Sequence, residues 1–200
     1  YMQELSNITR ERVYLAVPYR EEVLYLDAMY PAESVELMRS ILGERAQMYC
    51  TGIGKAMLAN MNDRSIDEYL TVHELKAFTE HTVTDKLELK KEIAQFRNQG
   101  YAVDNQEIEQ GLWCMAVPIY DNTGHMKAAI SVSGLKQRMV EKKELLKTEM
   151  LKTARDLSRD LGYYKEELNE RLCGVNPPVI TILTNITRLI LKPANARQIF

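Results

Sequence analysis

The sequence predicts an α+β fold built on an antiparallel sheet, and the order of its segments carries the prediction. Two β-rich runs stand near the start, helix-forming segments fill the middle, and a second pair of β-rich runs precedes a long helix. Regular β-α alternation is absent, which argues against a parallel sheet. Of 200 residues, 46% are hydrophobic. That suits one domain with a proper core, or one domain plus an appendage.

Residues 1–9 read as the end of a helix, and a start on a mid-helix tyrosine suggests sequence before it. Residues 12–17 (RVYLAV) and 23–28 (VLYLDA) are rich in β-branched and aromatic residues. Pro18-Tyr19-Arg20-Glu21-Glu22 between them predicts a hairpin. Residues 35–41 are a shorter strand candidate, and residues 43–50 a connection with a short strand near Met48. Residues 54–60 carry the helix formers Lys-Ala-Met-Leu-Ala. Asp63 is a candidate cap for a helix over 65–70. Thr84 is a candidate cap for a helix through Asn98, with Leu89, Ile93 and Phe96 at i, i+4 and i+7 and Gly100 as its stop. Residues 100–109 lead into a polar, acidic stretch containing Asp104, Asn105, Gln106, Glu107 and Glu109. A second hairpin follows: residues 112–120, the turn Asp121-Asn122-Thr123-Gly124, and residues 126–133. Residues 136–161 read as one long helix, with Leu146, Met150, Ala154, Leu157 and Leu161 on one stripe.

Composition excludes several classes. The 26 basic and 28 acidic residues give a net charge of −2, so no global positive field would hold nucleic acid. No run of ~18 apolar residues offers a membrane span. The start has neither a basic nor an apolar leader segment, so no signal peptide is visible. Cys50, Cys114 and Cys173 are widely spaced without a CxxC pair, and a reduced, cytoplasmic setting is the simplest reading. His73, His81 and His125 lack metal-ligand spacing. The sequence calls for no metal and no cofactor.

Two segments resemble the effector-binding domain of the IclR family of bacterial transcription regulators. The matching elements are Thr51-Gly52-Ile53-Gly54-Lys55-Ala56 before an apolar helix, then GYAVDNQEIEQGLWCMAVPIYDNTG over 100–124, then Ala128-Ala129-Ile130-Ser131-Val132-Ser133-Gly134. Leu5 to Ala16 also looks like that domain's opening. Their order over residues 4–163 makes the match specific. The resemblance implies a GAF/PAS-like fold, a central antiparallel sheet with helices packed on it. It further implies the end of a linker helix at 1–9, an effector-binding domain at 10–163, and homodimers or homotetramers. Operator DNA would be met through an N-terminal winged helix-turn-helix outside these residues. The ligand expected is a small organic or sugar-derived acid. Residues 164–200 depart from the pattern: Asn176-Pro177-Pro178 breaks any helix and residues 179–192 are apolar and β-branched. Two readings of that tail stay open, a native extension that packs on a partner and appended foreign sequence.

The candidate effector-binding residues are Gly52, Ile53, Asp104, Leu112, Cys114, Ser131, Ser133 and Met38. Backbone N–H groups of Gly52 and Ile53, at a helix start, suit a carboxylate. Without the resemblance, these are only glycines ending a connection, and the GxxxxGK[ST] spacing of a P-loop is absent. Asp104 would accept from an effector hydroxyl or repel a carboxylate, although an aspartate at a strand end more often faces water. Ser131 and Ser133 alternate with Val132 and share one face, which also holds Cys114 and Leu112, while Trp113 faces away. Cys114 reads as a small pocket wall. Met38, with Val35 and Leu37, falls where the family's apolar wall runs. Glu107 is placed equally well inward or in solvent, and Lys55 reads as a surface residue. Two other classes compete: a stand-alone GAF/PAS-like sensor, and an enzyme using Cys114 or Asp104 with a histidine. No nucleophile, base and orienter stand together in the sequence, so no catalytic residue is assigned.

Overall fold

In the computed structural model of the chain, residues 1–32 and 41–164 are described. The strand expected over 35–41, except Ile41, lies outside the described residues. So do Met38, Cys173 and the tail beyond Tyr164. A first compact unit spans Tyr1–Tyr163.

Helix α1 (Met2–Thr9) buries Leu5, Ser6 and Thr9 and stops at Arg10, whose φ of 54° is left-handed. Strands β1 (Arg12–Tyr19) and β2 (Glu22–Met29) then pair antiparallel, with Tyr19 opposite Glu22. The link between them is tighter than expected. Only Arg20 and Glu21 lie outside the strands, and both have positive φ. That is the backbone of a two-residue hairpin turn that matches strand twist. Pro18 therefore sits inside β1, beyond Ala16, where pairing with β6 ends. Its missing N–H disturbs no ladder there.

Strand β3 (Arg45–Gln47) adds to β2, in line with the short strand expected near Met48. Helices α2 (Gly52–Leu58), α3 (Asp63–Val72) and α4 (Lys86–Gln99) follow. Each begins near its expected position, and the caps expected for α3 and α4 are displaced by one residue. The Thr51 hydroxyl accepts from the Gly54 N–H, which opens α2 two residues early. Asn62 caps α3 rather than Asp63, its side-chain oxygen 2.8 Å from the Ser65 nitrogen. Asp85 displaces Thr84 because its carboxylate takes two amides, of Leu87 and Glu88. Gly100 stops α4 at φ 80°, as expected.

Strand β4 (Ala102–Asn105) forms at the start of the stretch expected only to be polar and acidic. Strands β5 (Leu112–Tyr120) and β6 (Met126–Leu135) form the second hairpin. The single helix expected over 136–161 is two: α5 (Lys136–Glu141) and α6 (Lys143–Asp160). The break falls at Lys142, with φ −109° and ψ 21°. Its ammonium donates to the Thr9 carbonyl at 2.8 Å and to Glu11 Oε1 at 2.7 Å. Two tertiary bonds to the α1–β1 junction outweigh the helix pattern there.

The six strands form one antiparallel sheet in the order β3-β2-β1-β6-β5-β4. Alternate residues feed two cores. One face packs Val13, Trp113, Met115, Val117, Ile130 and Val132 against Leu5, Met139, Leu146 and Met150 of α1, α5 and α6. The other packs Ala16, Ala102, Ala116 and Ala129 against Ile53, Ala56, Met57, Ile93 and Phe96 of α2 and α4. Small residues on this second face let α2 lie close to the strands. The predicted α+β class, antiparallel sheet and flanking helices all stand.

Candidate functional site

Strand register builds the site. Asp104 pairs with Cys114, Cys114 with Ser133, and Ser133 with Arg12. Directly paired residues share a face, so the four form one row across β4, β5, β6 and β1. The next row on that face is Ala102, Ala116, Ser131 and Tyr14. Five of the expected residues converge here: Asp104, Cys114, Ser131 and Ser133 from the sheet, and Gly52 from above. A Cβ on Gly52 would come 3.3 Å from the Asp104 nitrogen and 3.4 Å from the Cys114 Cβ. Glycine thus seats the first turn of α2 on β4 and β5. The amides of Gly52 and Ile53 belong to that first turn and have no intrahelical partner. The Ile53 side chain is core. Leu112 shares the Cys114 parity but lies at the rim, opposite the exposed Leu135.

Asp104 is 1% exposed. Its Oδ1 accepts from the Glu107 N–H at 2.7 Å. Its Oδ2 is buried without a hydrogen-bond partner among the described residues. Burial pushes the carboxyl up to about 7 despite the Glu107 N–H, and the nearby Glu107 charge adds to the rise. A buried oxygen left unpaired is costly, and such atoms cluster where something else binds.

Beneath it lies a buried ionic group at odds with the surface position expected for Lys55. Lys55 is fully buried, not a surface residue. Its ammonium lies 2.6 Å from a Glu92 oxygen and 2.6 Å from both oxygens of Glu107, of which Oε1 is aligned for a hydrogen bond. It also stands 5.8 Å from the Phe96 ring centre. Glu107 points inward and is 4% exposed. Burial raises its carboxyl, and Lys55 opposes the rise. Thr79 and Thr82 donate to the carbonyls of Gln106 and Glu107, each at 2.6 Å. These bonds fix the 106–111 loop and so the amide that holds Asp104. The signals for Lys55 were weak but present: a lysine within an apolar helix run, and a glutamate three residues past Asp104. Nothing in the sequence marks Thr79 and Thr82.

The site does not present a nucleophile. Cys114 is 9% exposed, burial pushes its thiol well above the ordinary range, and it bonds the Ser133 hydroxyl at 3.0 Å. A reactive cysteine needs the opposite shift. His73 stacks on Tyr69 at 4.1 Å, and His125 bonds the Thr123 hydroxyl in the β5–β6 turn. No group of three or more His, Cys, Asp or Glu among the described residues is placed to hold a metal ion. A cavity of about 410 Å³ between α3 and α4, lined by Ile66, Ile93 and Ala94 with Lys90 and Arg97 at its rim, is remote from the row. No helix among the described residues is long and apolar enough to cross a membrane.

Comparison with known proteins gives one answer. The family model described as bacterial transcriptional regulator IclR C-terminal matches residues 1–159. The HTH-type transcriptional regulator KdgR of Escherichia coli is 36% identical over 82% of this chain and 62% of its own length. The HTH-type transcriptional repressor AllR of E. coli is 33% identical over 81% of this chain and 60% of its own length. The chain thus spans about three-fifths of the length of these relatives. Among solved structures, the Thermotoga maritima IclR superposes with a TM-score of 0.75 and 36% identity, over 81% of this chain and 66% of that one. These relatives are named as regulators and a repressor, which does not favour the enzyme and stand-alone sensor readings. The chain belongs to the IclR family of bacterial transcriptional regulators and carries that family's C-terminal domain.

Proposed function

We propose that residues 10–163 sense a small organic or sugar-derived acid on behalf of a cytoplasmic repressor. The observation that carries this reading is the buried row Asp104–Cys114–Ser133, with an unpaired Asp104 oxygen beneath the first turn of α2. The acid's carboxylate meets the Gly52 and Ile53 amides, where the helix end favours negative charge. Its hydroxyl groups meet Asp104, Ser131 and Ser133. Leu112 and Cys114 complete the apolar part of the wall. A binding site of this kind needs apolar surface and a few fixed polar groups.

Function then follows from differential affinity. An effector that prefers one packing of a homodimer or homotetramer shifts the population toward it. In the whole regulator, a winged helix-turn-helix on the N-terminal side of α1 contacts the operator; the relatives KdgR and AllR are themselves named HTH-type.

The test is calorimetric titration of organic and sugar acids into the wild type, Ser131→Ala and Ser133→Ala. At least one acid should bind. Each lost hydroxyl should weaken it by roughly 1–3 kcal/mol, the scale of a hydrogen bond left unmade. Unchanged affinity in both variants would move the site elsewhere.

A further inference from the structure

We propose that the groove between α3 and α4 docks a second copy of this chain, with a two-fold axis running along the groove. The surface lies away from the Asp104 row, so its role does not depend on the acid-sensing reading. On α4, Leu89, Ile93 and Phe96 are buried. Beside them runs a second stripe, Leu87, Lys90, Ala94 and Arg97, spaced i, i+3, i+7 and i+10, and all four are exposed. Leu87 is 68% exposed. A lone surface leucine is ordinary, but this one extends the stripe that walls a cavity.

Two ion pairs fix how the helices lie. Arg97 Nη1 stands 2.9 Å from Asp63 Oδ1, and Lys90 pairs with Asp67, so α3 and α4 run antiparallel. The cavity of about 410 Å³ is lined by residues of these two helices alone, with Ile66, Ile93 and Ala94 as its apolar part. An apolar cavity of about 150 Å³ holds a benzene ring, so this groove has room for more than one side chain. The helices are roughly 15 and 21 Å long. A face of that size is small for a stable interface, and the contact it makes is weak and reversible.

Charge selects the partner and its orientation. α3 gives the groove only carboxylates, Asp63 and Asp67, and α4 only cations, Lys90 and Arg97. A uniformly acidic or basic partner would satisfy one rim and be repelled by the other. A second copy carries both signs, and a two-fold axis brings the same patch of each copy together. An axis across the helices would stack α3 on α3, carboxylate over carboxylate. An axis along the groove lays α3 of one copy over α4 of the other, antiparallel and in the register seen within one copy. Asp67 then stands over the partner's Lys90, and Asp63 over the partner's Arg97. All four side chains are at least 40% exposed, so each meets a second counter-ion without giving up its first. Exposed pairs of this kind are weak and set the register. Leu87, carried onto the partner's α3, and the small Ala94 supply the apolar contact.

Sedimentation equilibrium of the whole chain, from about 1 to 100 μM, reads the contact. The wild type should associate over that range, either from monomer or from a smaller oligomer held by another surface. Lys90→Asp and Asp67→Lys each set like charges across the axis and should weaken that step about tenfold or more. Mixed in equal amounts, the two variants should recover it, because one copy then presents an acidic set and the other a basic set. Leu87→Glu should weaken the step with no recovery on mixing. It serves if either charge variant loses its fold by circular dichroism. A wild type whose mass does not change with concentration, and is the same in all three variants, would overturn the proposal. So would a mixture that associates no more tightly than its parts.

Discussion

Replacing Lys55 with methionine tests how the site is held together. The change keeps the long stem that packs in α2 and removes only the ammonium. Glu107, 4% exposed, loses its counter-charge beside a second buried carboxyl, Asp104. Breaking a buried pair by removing one partner costs about 3–5 kcal/mol. Glu92 has a side chain 36% exposed and can turn to water, so the low end, about 3 kcal/mol, is expected. For a domain of this size that is a fall of roughly 6–12 °C in Tm. The loss should depend on pH. Burial already raises the Glu107 carboxyl, and removal of Lys55 raises it further. A carboxyl raised above its unfolded value contributes stability that is full below the unfolded pKa and is lost as pH rises through the folded one. The deficit of Lys55→Met should therefore be large at pH 8 and shrink toward pH 5. Urea unfolding at four pH values reads both effects. Adding Glu107→Gln should recover most of the loss, since no buried charge then remains unpaired. A loss below about 1 kcal/mol, or one that is flat with pH, would refute the ionic account.

Three further outcomes follow from the same geometry. Glu11 is 3% exposed and accepts from Arg138 Nε and Nη2, each at 3.0 Å, and from Lys142 at 2.7 Å. Burial pulls its carboxyl up, but these two cations hold it below the ordinary value. Glu11→Gln should cost about 1.5–3 kcal/mol at pH 7. The gap should close as pH falls below about 4, because a depressed carboxyl loses its contribution as it protonates, and chemical unfolding at pH 7 and 3.5 checks this. Gly54→Ala should be poorly folded by circular dichroism despite alanine's better helix propensity, because the new Cβ would lie 2.5 Å from the Met48 carbonyl oxygen and 2.6 Å from Thr51 Oγ1. A stably folded Gly54→Ala variant would refute that packing. Asp104→Asn keeps the acceptor for the Glu107 N–H and removes the ionisation near pH 7. Asp104 has a raised carboxyl, so its contribution is full in acid and lost as pH rises through about 7. The Asn variant should thus gain on the wild type between pH 5 and 8, and its affinity for an acid should stop falling over that range, both readable by melting and titration.

The fold was legible where one signal dominated. Leu89, Ile93 and Phe96 lie buried on α4 as their spacing predicts, and Gly100 ends that helix. The alternation in β5 and β6 alone puts Ser131, Ser133 and Cys114 on one face, and the strand register agrees. Legibility failed where distant residues compete with local pattern. Residues 136–161 carry one continuous stripe, yet Thr9 and Glu11, more than a hundred residues away, break it at Lys142. Strand β4 has four residues, two of them polar, and a short mixed segment has no period to read. Burial of Lys55 is not legible locally, because burial of a lysine depends on partners, and Glu92 and Glu107 lie 37 and 52 residues away. Caps were misplaced by one residue at Asn62 and Asp85 because adjacent residues of the same capping class compete for the same amides.

The two faces of the sheet divide the work in a way that explains these errors. The face under α1, α5 and α6 is apolar: Trp113, Met115, Ile130 and Val132 are each less than 5% exposed. Full burial of such side chains is worth roughly 1.5–3 kcal/mol apiece. The opposite face carries alanines, serines, a cysteine, and the buried charges of Lys55, Glu107 and Asp104. Buried ion pairs are weak sources of stability, and an unpaired buried oxygen is a net cost. A domain could hold such a face only if the other one supplied the stability. Hydrophobic patterning reads the supporting face well, because area burial is local and periodic. It reads the polar face poorly, because Lys55, Cys114 and the loop that carries Glu107 are held by residues far away in sequence. Asp104 shows both sides of this. Its motif made it a candidate, but the structure adds that Oδ1 also fixes the Glu107 amide. Asp104→Ala would therefore disturb the loop as well as the ligand contact. Asp104→Asn and the two serine variants are the substitutions that separate sensing from folding.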